Sequence, residues 1–343
     1  MPVFKIPLQK EEIRTKMTNK NRKGLLQSDC NNPHFLKIGE AMYTEFLEHL
    51  ASFMNQEDIK LNEPMKKHTS FRVGGPAKVF LTVHSEEILT KILVAVNEKK
   101  LPYFVLGNGS NLLVSDLGYE GVMIYLGEEF SNIEIKENEI EAGAAAFLGK
   151  VARKALDAGL TGLEFAAGIP GSLGGGIVMN AGAYGGELSQ VVTRVRAMNR
   201  TGKVISLEKN ELLMGYRTSI FKMQPFVILS VTMELQKGDK QEILSKMDEY
   251  TKARIEKQPL EYPSAGSTFK RPEGHFAGKL IMDAGLRGYS VGDAQVSEKH
   301  CGFVINKGNA TATEISILMK NVTQIVKEKF GVELEPEVIL LGE

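Results

Sequence analysis

The sequence is poor in cysteine, with only Cys30 and Cys301 among 343 residues. Two cysteines so far apart provide neither a disulfide framework nor the spacing of a metal site, and their scarcity predicts a reducing, cytoplasmic location with no bound metal. The sequence also lacks an excess of charge, because 42 basic side chains balance 42 acidic ones. A neutral chain is not expected to have nucleic acid or an anionic membrane as its main partner.

Long apolar runs and the common nucleotide-binding motifs are absent as well. Charged residues interrupt the apolar positions of the N-terminal stretch MPVFKIPLQKEEIRTK, so the sequence predicts neither a signal peptide nor membrane insertion. It contains no G-x-x-x-x-G-K-S/T motif, and no G-x-G-x-x-G motif opens a helix after a predicted strand. These absences argue against a P-loop kinase and against an ordinary dinucleotide-binding fold.

The most informative segment is a glycine-rich stretch from Phe165 to Glu187, FAAGIPGSLGGGIVMNAGAYGGE. Its glycines lie among small and apolar residues with almost no charge, whereas a flexible linker is rich in polar residues. Glycine lets the backbone approach a ligand closely and leaves amide groups free to face an anion. The stretch therefore predicts a cradle for a phosphate-bearing cofactor. Tight packing of strands or helices is the alternative interpretation, and one glycine-rich loop alone does not decide between them.

A second glycine-rich loop, Gly107 to Asn111, follows the predicted strand Tyr103 to Leu106. The predicted order of strand, helix and strand places this loop at the carboxyl end of a strand, where open α/β sheets commonly bind ligands. The residues Asn-Gly-Ser are also ordinary turn formers, which is the structural alternative. The presence of two such loops in one chain, each directly after an apolar element, favours the functional interpretation.

Hydrophobic periodicity, capping residues and turn signals predict the helices and strands. The predicted helices are Glu40–Asn55, one that begins after Ser85, Phe147–Ala158, Gln241–Lys257, Ala277–Ala284 and one that begins after Thr311. The predicted strands are Val79–Val83, Tyr103–Leu106, Val122–Tyr125, Ile133–Lys136, Glu139–Ala142, Val191–Met198, Lys203–Leu207 and Phe226–Leu235. This succession indicates an α+β arrangement.

Three side chains are candidates for chemistry because of their residue types. Ser267 lies in a compact turn close to Lys270 and Arg271, where a serine can donate a proton. Arg217 offers a planar, permanently charged guanidinium that suits a substrate carboxylate. Glu337 is the third candidate and contributes a carboxylate group. For each of them taken alone, a structural role is the more common explanation.

A set of motifs occurs in a fixed order along the chain: HTSFRVGGPA, LGNGSNLLV, GLEFAAGIPGSLGGGIVMNAGAYGGE, GYRTSIFK, PSAGSTFKRP and GYSVGDAQVSEKHCGFVIN. As a set they closely resemble the UDP-N-acetylenolpyruvoylglucosamine reductase family of bacterial peptidoglycan precursor synthesis. The resemblance runs from about Leu61 to Leu341. The interval between Arg217 and Ser267 lacks a longer insertion found in one branch, so the chain resembles the shorter, second type.

The resemblance implies an α+β flavoprotein with the FAD-binding fold of the vanillyl-alcohol oxidase/PCMH type, followed by a smaller α/β substrate-binding domain. It places non-covalent FAD against two loops and a neighbouring turn. The implied cofactor-binding residues are Gly107, Asn108, Gly109, Ser110, Asn111, Ile169, Pro170, Gly171, Ser172, Asn180, Gly182 and Ala183.

The chain order of these motifs also predicts a division into domains. Residues 1–40 are expected to form a basic, flexible arm. Residues 41–114, completed by a C-terminal strand within 333–343, are expected to form a first FAD-binding subdomain. Residues 115–238 would form a second FAD-binding subdomain, and residues 239–332 the substrate-binding domain.

The resemblance further implies NADPH-dependent reduction of UDP-N-acetylglucosamine enolpyruvate to UDP-N-acetylmuramate. NADPH would reduce the flavin and leave, and the UDP-linked enolpyruvyl amino sugar would take its place and receive hydride. Ser267 matches the serine that protonates the intermediate, while Arg217 and Glu337 match residues that orient and polarise the enolpyruvyl carboxylate. The implied substrate-binding residues are Tyr184, Tyr216 and Lys257.

One departure and two alternatives accompany this assignment. Arg271 stands where many family members have asparagine, so the hydrogen bond of that asparagine is not expected here. Another flavin-dependent oxidoreductase on the same fold is one alternative, although the two glycine-rich loops contain no histidine or cysteine for a covalent flavin link. A non-catalytic nucleotide-binding regulator is the other, and it would not need Ser267, Arg217 and Glu337 together.

Overall fold

The computed structural model describes the backbone of residues 33–342 and the side chains of residues 41–342. The chain divides into two compact units, residues 1–52 and 53–343. In the first unit the described backbone forms helix α1, Pro33–Ala51. Proline suits the first turn of a helix, because its missing N–H leaves no donor unpaired there. The helix predicted over Glu40–Asn55 therefore begins earlier, inside the predicted arm, and residues 1–32 of that arm lie outside the described residues.

The second unit contains the other helices and strands of the described chain. The helices are α2, Glu86–Glu98; α3, Leu148–Asp157; α4, Leu173–Val178; α5, Ile220–Met223; α6, Lys240–Lys257; α7, Ala277–Asp283; and α8, Ala312–Phe330. The strands are β1, Ile59–Pro64; β2, Pro76–Val83; β3, Tyr103–Leu106; β4, Leu112–Val114; β5, Tyr119–Leu126; β6, Ile133–Lys136; β7, Glu139–Gly143; β8, Leu160–Thr161; β9, Gly182–Ala183; β10, Gly186–Glu187; β11, Val192–Met198; β12, Val204–Glu208; β13, Val227–Glu234; β14, Gln236–Lys237; β15, Ser290–Val291; β16, Ala294–Val296; β17, Val304–Asn306; and β18, Ile339–Leu341.

The first sheet has four strands in the order β1-β2-β5-β3. β5 is parallel to both of its neighbours, and β1 is antiparallel to β2. Helix α2 crosses from β2 to β3 and begins at the predicted cap, where Ser85 Oγ accepts the N–H of Ile88 at 3.2 Å. This crossover delivers the loop that begins at Gly107 to the carboxyl end of a parallel strand, as the sequence predicts.

The second sheet has five antiparallel strands in the order β12-β11-β13-β7-β6. Its central strand β13 is buried from Val227 to Met233, which explains its nearly continuous apolar sequence. Helix α3 packs against β8 and is followed by Gly159 at φ +70, a left-handed conformation common after the end of a helix. The glycine-rich stretch follows β8 and contains the short helix α4.

The segments from Ala265 to Val338 pack around α8, whereas α6 packs against α3 and β8. Thr311 and Glu314 form the predicted capping box of α8, and Gly331 follows it at φ +71. The core around α8 also includes Phe71 and Leu113, so this part of the chain shares its interior with the first sheet region. β18 pairs in parallel with β4, which adds a second contact between this part of the chain and the first sheet region.

The boundary between the first two sheets lies later than the predicted boundary between the FAD-binding subdomains. β5 is hydrogen-bonded between β2 and β3 although it follows residue 114, because a parallel strand at that place completes the first sheet. The sheets therefore separate between β5 and β6. The division into functional domains stays a prediction.

Most predicted elements are confirmed within a few residues, and the missed ones are short. The strands β1, β4, β8 to β10 and β14 to β17 were not predicted, and neither were α4 and α5. Helix α4 has the sequence LGGGIV, whose glycines disfavour a helix by roughly 1 kcal/mol each relative to alanine. Tertiary packing and the cap at Ser172, whose Oγ accepts the N–H of Gly175 at 3.3 Å, override this local preference.

His84 joins two turns at one edge of the first sheet. Its Nδ1 lies 2.8 Å from Glu129 Oε2, and its Nε2 lies 2.9 Å from Asp58 Oδ1. Hydrogen bonds to Glu129 and then Asp58 raise the pKa of His84, whereas desolvation opposes the rise. The protonated imidazole donates to both carboxylates, so the bridge is strongest when His84 is charged.

We expect the His84 bridge to stabilise the protein in a pH-dependent way. Because the folded-state pKa is raised, the stabilisation is full below the unfolded pKa and is lost as the pH rises through the folded value. The free energy of unfolding in urea should differ between the wild type and His84→Gln more at about pH 6 than at about pH 8.5. Lys91→Gln, which breaks the exposed Lys91–Glu87 pair on α2, is the control with an effect independent of pH in this range. An equal difference at both pH values would contradict the prediction.

Candidate functional site

The two glycine-rich loops meet in the folded chain. Gly107, directly after β3, packs against Ser172, and a Cβ atom on Gly107 would lie only 2.4 Å from Ser172 Oγ. Gly171 faces the first loop as well, where its Cβ would lie 3.6 Å from Ser110 Oγ. Because the contact at Gly107 leaves no room for a side chain, glycine is required there. The structure thus brings together the segments that the sequence predicts to form one cradle.

A cavity of about 90 Å³ lies beside this contact. Gly107, Asn108, Ser172 and Gly175 contribute to its lining, and apolar residues of β3, β5 and β13 contribute the rest. Gly175 is exposed, and a Cβ there would meet only Ser172 Oγ, at 3.3 Å. A wider cleft of about 520 Å³, which includes Glu137, contains none of the predicted site residues. The smaller cavity is therefore the one connected with the predicted cradle.

The first loop offers backbone donors for an anion. Among the hydrogen bonds of residues 33–342, none is donated by the backbone N–H groups of Asn108, Gly109, Ser110 or Asn111. Gly109 has φ +57, and a Cβ there would lie 1.9 Å from the carbonyl oxygen of His68, so only glycine permits this turn. Successive unpaired N–H groups in a turn form a concavity that binds phosphate. The geometry agrees with the predicted role of the loop.

Arg217 and Glu337 form a largely buried ion pair. Arg217 Nε lies 2.7 Å from Glu337 Oε1, and the two side chains are 22% and 13% exposed. Arg217 Nη2 also donates to the carbonyl oxygen of Gly182, at 3.4 Å. Burial raises the pKa of Glu337, and the charge and hydrogen bond of Arg217 oppose the rise. The site therefore combines a fixed cation with a carboxyl group of increased proton affinity.

A strained turn presents Arg217. Gly215 and Thr218 exchange backbone hydrogen bonds of 3.0 and 3.2 Å, and Arg217 between them has φ +53. Such a conformation at the third residue of a turn usually requires glycine. Asn180, only 1% exposed, donates to the carbonyl oxygen of Gly215 at 3.1 Å and accepts the N–H of Ser189 at 2.9 Å. Strain that neighbouring groups hold in place is typical of functional residues.

Glu337 connects three segments of the site. Its N–H donates to the carbonyl oxygen of Thr268 at 2.9 Å, which places the exposed Ser267 next to this junction. Its carbonyl oxygen accepts the side-chain N–H of Asn111 at 3.1 Å. Its side chain reaches Arg217, as described above. The structure thus brings the three predicted catalytic residues together at the end of the first glycine-rich loop.

The predicted substrate-binding residues lie at the edge of this region, with one exception. Tyr184 is at the tip of the β9–β10 hairpin, with φ +53, and is 43% exposed. Tyr216 is exposed, and its Oη accepts the N–H of Arg271 at 3.0 Å. Lys257 is exposed at the end of α6, and its side chain makes no hydrogen bond or ion pair with any other residue that the structure describes. The structure therefore does not bring Lys257 into contact with the other site residues.

The side chain of Arg271 makes no polar contact with the other residues that the structure describes. Its backbone N–H makes the contact with Tyr216, and its guanidinium lies 4.6 Å from the centre of the Phe276 ring. A guanidinium over an aromatic face is attracted by the ring quadrupole. Arg271 thus contacts the turn that presents Arg217 through its backbone N–H.

Two side chains of α6 that the sequence analysis did not assign to the site also face the glycine-rich stretch. The Tyr250 ring stacks on Tyr184, with centroids 4.5 Å apart and planes 2° from parallel. A Cβ atom on Gly168 would lie only 3.2 Å from Arg254 Cδ. Burial lowers the pKa of Arg254, and Tyr184 opposes this effect. The spacing of Tyr250 and Arg254 in the sequence places both on the apolar stripe of α6. That spacing does not reveal the glycine-rich stretch as the segment they contact.

Comparisons with known proteins match two segments of the second unit to protein families. The family model described as FAD binding domain matches residues 77–208. The model described as the C-terminal domain of UDP-N-acetylenolpyruvoylglucosamine reductase matches residues 258–341. In Lachnoclostridium phytofermentans the protein of that name is 49% identical, over 88% of this chain and 99% of the relative. In Agathobacter rectalis it is 50% identical, over 88% of this chain and 100% of the relative.

A solved structure agrees with these matches. The reductase (MurB) from Thermus caldophilus superimposes with a TM-score of 0.73 at 36% identity, over 83% of this chain and 99% of that one. The predicted α+β fold with an FAD-binding domain is thereby confirmed. Within residues 33–342, no helix is long and apolar enough to cross a membrane, and no cluster of histidine, cysteine and acidic side chains is arranged to hold a metal ion.

Gly175 provides a test of the cradle. A Cβ atom there requires only a small shift of Ser172 Oγ, and the rest of a leucine side chain would fill the cavity beside Gly107. We expect Gly175→Leu to keep its thermal unfolding midpoint and to bind FAD at least about tenfold more weakly, which corresponds to a loss of about 1.4 kcal/mol. Titration of the apoprotein with FAD, followed by flavin fluorescence, measures this change. Gly175→Ala is the control with a smaller side chain, and unchanged affinity in the leucine variant would place the cofactor elsewhere.

Proposed function

We infer the function of this chain from the family to which it belongs, that of the UDP-N-acetylenolpyruvoylglucosamine reductases. The proposed reaction is the reduction of UDP-N-acetylglucosamine enolpyruvate to UDP-N-acetylmuramate, with NADPH as the hydride donor and non-covalent FAD as the carrier. The protein is then a UDP-N-acetylmuramate dehydrogenase, an oxidoreductase of peptidoglycan precursor synthesis that works in the cytoplasm.

The observation that carries the proposal is the junction at Glu337. One residue contacts Arg217 through its side chain, the Ser267 segment through its N–H and the first glycine-rich loop through its carbonyl oxygen. A cation, a carboxyl group and a hydroxyl group therefore lie beside a predicted phosphate cradle. A nucleotide-binding regulator has no need of this combination, whereas a reductase of an enolpyruvyl group does.

The residues around the cradle fit FAD. The unpaired N–H groups of residues 108–111 suit the pyrophosphate, because they supply donors without a charged side chain. The apolar lining from β3, β5 and β13 suits the aromatic and ribose portions of a dinucleotide. Held by these residues, FAD would supply the hydride transfer between NADPH and the vinyl carbon of the substrate.

Arg217 and Glu337 are proposed to orient and polarise the enolpyruvyl carboxylate. Negative charge develops next to this carboxylate as hydride adds to the double bond, and a fixed cation there lowers the barrier. The bond from Arg217 Nε to Glu337 Oε1 and the strained turn hold the guanidinium in place before substrate arrives. Burial raises the pKa of Glu337, so its carboxyl group binds a proton more readily than that of an exposed glutamate.

Ser267 is proposed to donate the proton that completes the addition. Hydride and proton together convert the vinyl group of the substrate to the saturated ether of the product. Ser267 is exposed and borders the Glu337 junction through Thr268, so a bound substrate can reach its hydroxyl group.

An anaerobic absorbance experiment tests the complete reaction. The purified protein with FAD is mixed first with NADPH and then with the UDP-linked enolpyruvyl sugar. Bleaching of the flavin band by NADPH and its return on addition of the sugar support both half-reactions. Absence of a flavin band after FAD is supplied contradicts the cofactor assignment, and bleaching without return points to a different flavin-dependent oxidoreductase.

We expect Ser267→Ala to separate the two half-reactions. The variant should retain FAD and its reduction by NADPH, whereas product formation should fall by about 10²–10⁴-fold, the usual contribution of a general acid. Stopped-flow absorbance measures the first step, and chromatography of the UDP-sugar product measures the second. Ser264→Ala, in the same segment, is the matched control. Undiminished turnover in Ser267→Ala would remove this serine from the mechanism.

A further inference from the structure

The hairpin that carries Tyr184 has one side-chain hydrogen bond at its tip, from Gln190 Nε2 to the carbonyl oxygen of Gly185 at 3.3 Å. β9 and β10 contain two residues each, and the loop between them has Tyr184 at φ +53 and Gly185 at φ +83. Two positive φ values correspond to a type I′ turn, in which asparagine or glycine is preferred and tyrosine is costly. The base of the hairpin is packed, because a Cβ on Gly186 would lie 2.4 Å from the Phe165 ring. At the tip, however, a Cβ on Gly185 would meet nothing within 4 Å.

Helix α6 supplies the contact that orders the Tyr184 ring itself. The Tyr250 ring is stacked on Tyr184 with a centroid separation of 4.5 Å and an interplanar angle of 2°. No other aromatic ring among the described residues stacks on Tyr184. Since 43% of Tyr184 is exposed, the stack covers one part of the side chain and leaves another part open to a ligand.

Tyr250 belongs to a continuous stripe on α6. Ile243 and Met247 of this stripe are buried, and Tyr250 and Arg254 follow at the next positions of the same helical face. Arg254 approaches Gly168 near the start of the glycine-rich stretch, while Tyr250 reaches the hairpin near its end. The buried part of the stripe anchors the helix, so the position of the Tyr250 ring is fixed before any ligand binds.

We propose that Tyr250 is a positioning residue that holds Tyr184 in place for the nucleotide part of the UDP-sugar. This inference rests on the proposed function, in which Tyr184 binds the substrate. Tyr250 contacts none of the groups proposed for chemistry, so its effect is on substrate binding.

Steady-state kinetics of Tyr250→Leu and Tyr250→Phe test the proposal. Tyr250→Leu removes the stack and should raise KM for the UDP-sugar about three- to tenfold, the loss expected of one aromatic pair, with kcat changed less than about twofold. Tyr250→Phe keeps the stack and should restore the wild-type KM. Glu249→Leu, at an exposed neighbouring position of α6, controls for a leucine on this helix. Thermal unfolding of each holoenzyme shows whether α6 stays folded.

Tyr184→Ala and the double variant separate this inference from the proposed function. If Tyr250 acts through Tyr184, KM in the double variant should equal KM in Tyr184→Ala, because the second change has nothing left to remove. Additive effects, or an unchanged KM in Tyr250→Leu while Tyr184→Ala raises it, would overturn the role of Tyr250. An unchanged KM in Tyr184→Ala would instead overturn the proposed role of Tyr184 in substrate binding.

Discussion

The close approach of two backbone loops is the constraint on which the site depends. Gly107 touches Ser172 at a distance that excludes any Cβ atom, and Gly109 turns against the carbonyl of His68 in a conformation that only glycine adopts easily. These contacts leave the amide groups of the first loop turned away from internal partners. In the proposed function, these amide groups bind the anion through the path of the backbone and without a basic side chain.

The residues proposed for the chemistry lie where this backbone arrangement meets a largely buried ion pair. Removing two charges from water costs several kcal/mol per ion, so a pair such as Arg217 and Glu337 is poor evidence for stability. The left-handed backbone of Arg217 adds strain at the same place. A structure that accepts both costs within one site is organised for function, and the buried Asn180 carries much of the support through its two hydrogen bonds.

Local features of the sequence predicted local features of the structure. The glycine-rich loops were identified because close backbone contact demands glycine, and α8 was located because its caps are encoded by Thr311 and Gly331. The Arg217–Glu337 pair joins residues 120 positions apart, and no local pattern encodes such a contact, so only resemblance to a family indicated it. Helix α4 was missed because tertiary packing overrides glycine, and the role of Tyr250 was missed because its partner lies on a distant hairpin.

The connection between Asn111 and Glu337 has a consequence for synthesis of the protein. The two residues are 226 positions apart in the sequence, and β4 and β18 pair directly beside them. A nascent chain on the ribosome can form the first two sheets long before Glu337 has been made. During that interval the loop that begins at Gly107 is without its neighbour, and the edge of β4 is uncovered. The site is therefore complete only after β18 has been synthesised. Until then the edge of β4 is open to chaperones or to mispairing.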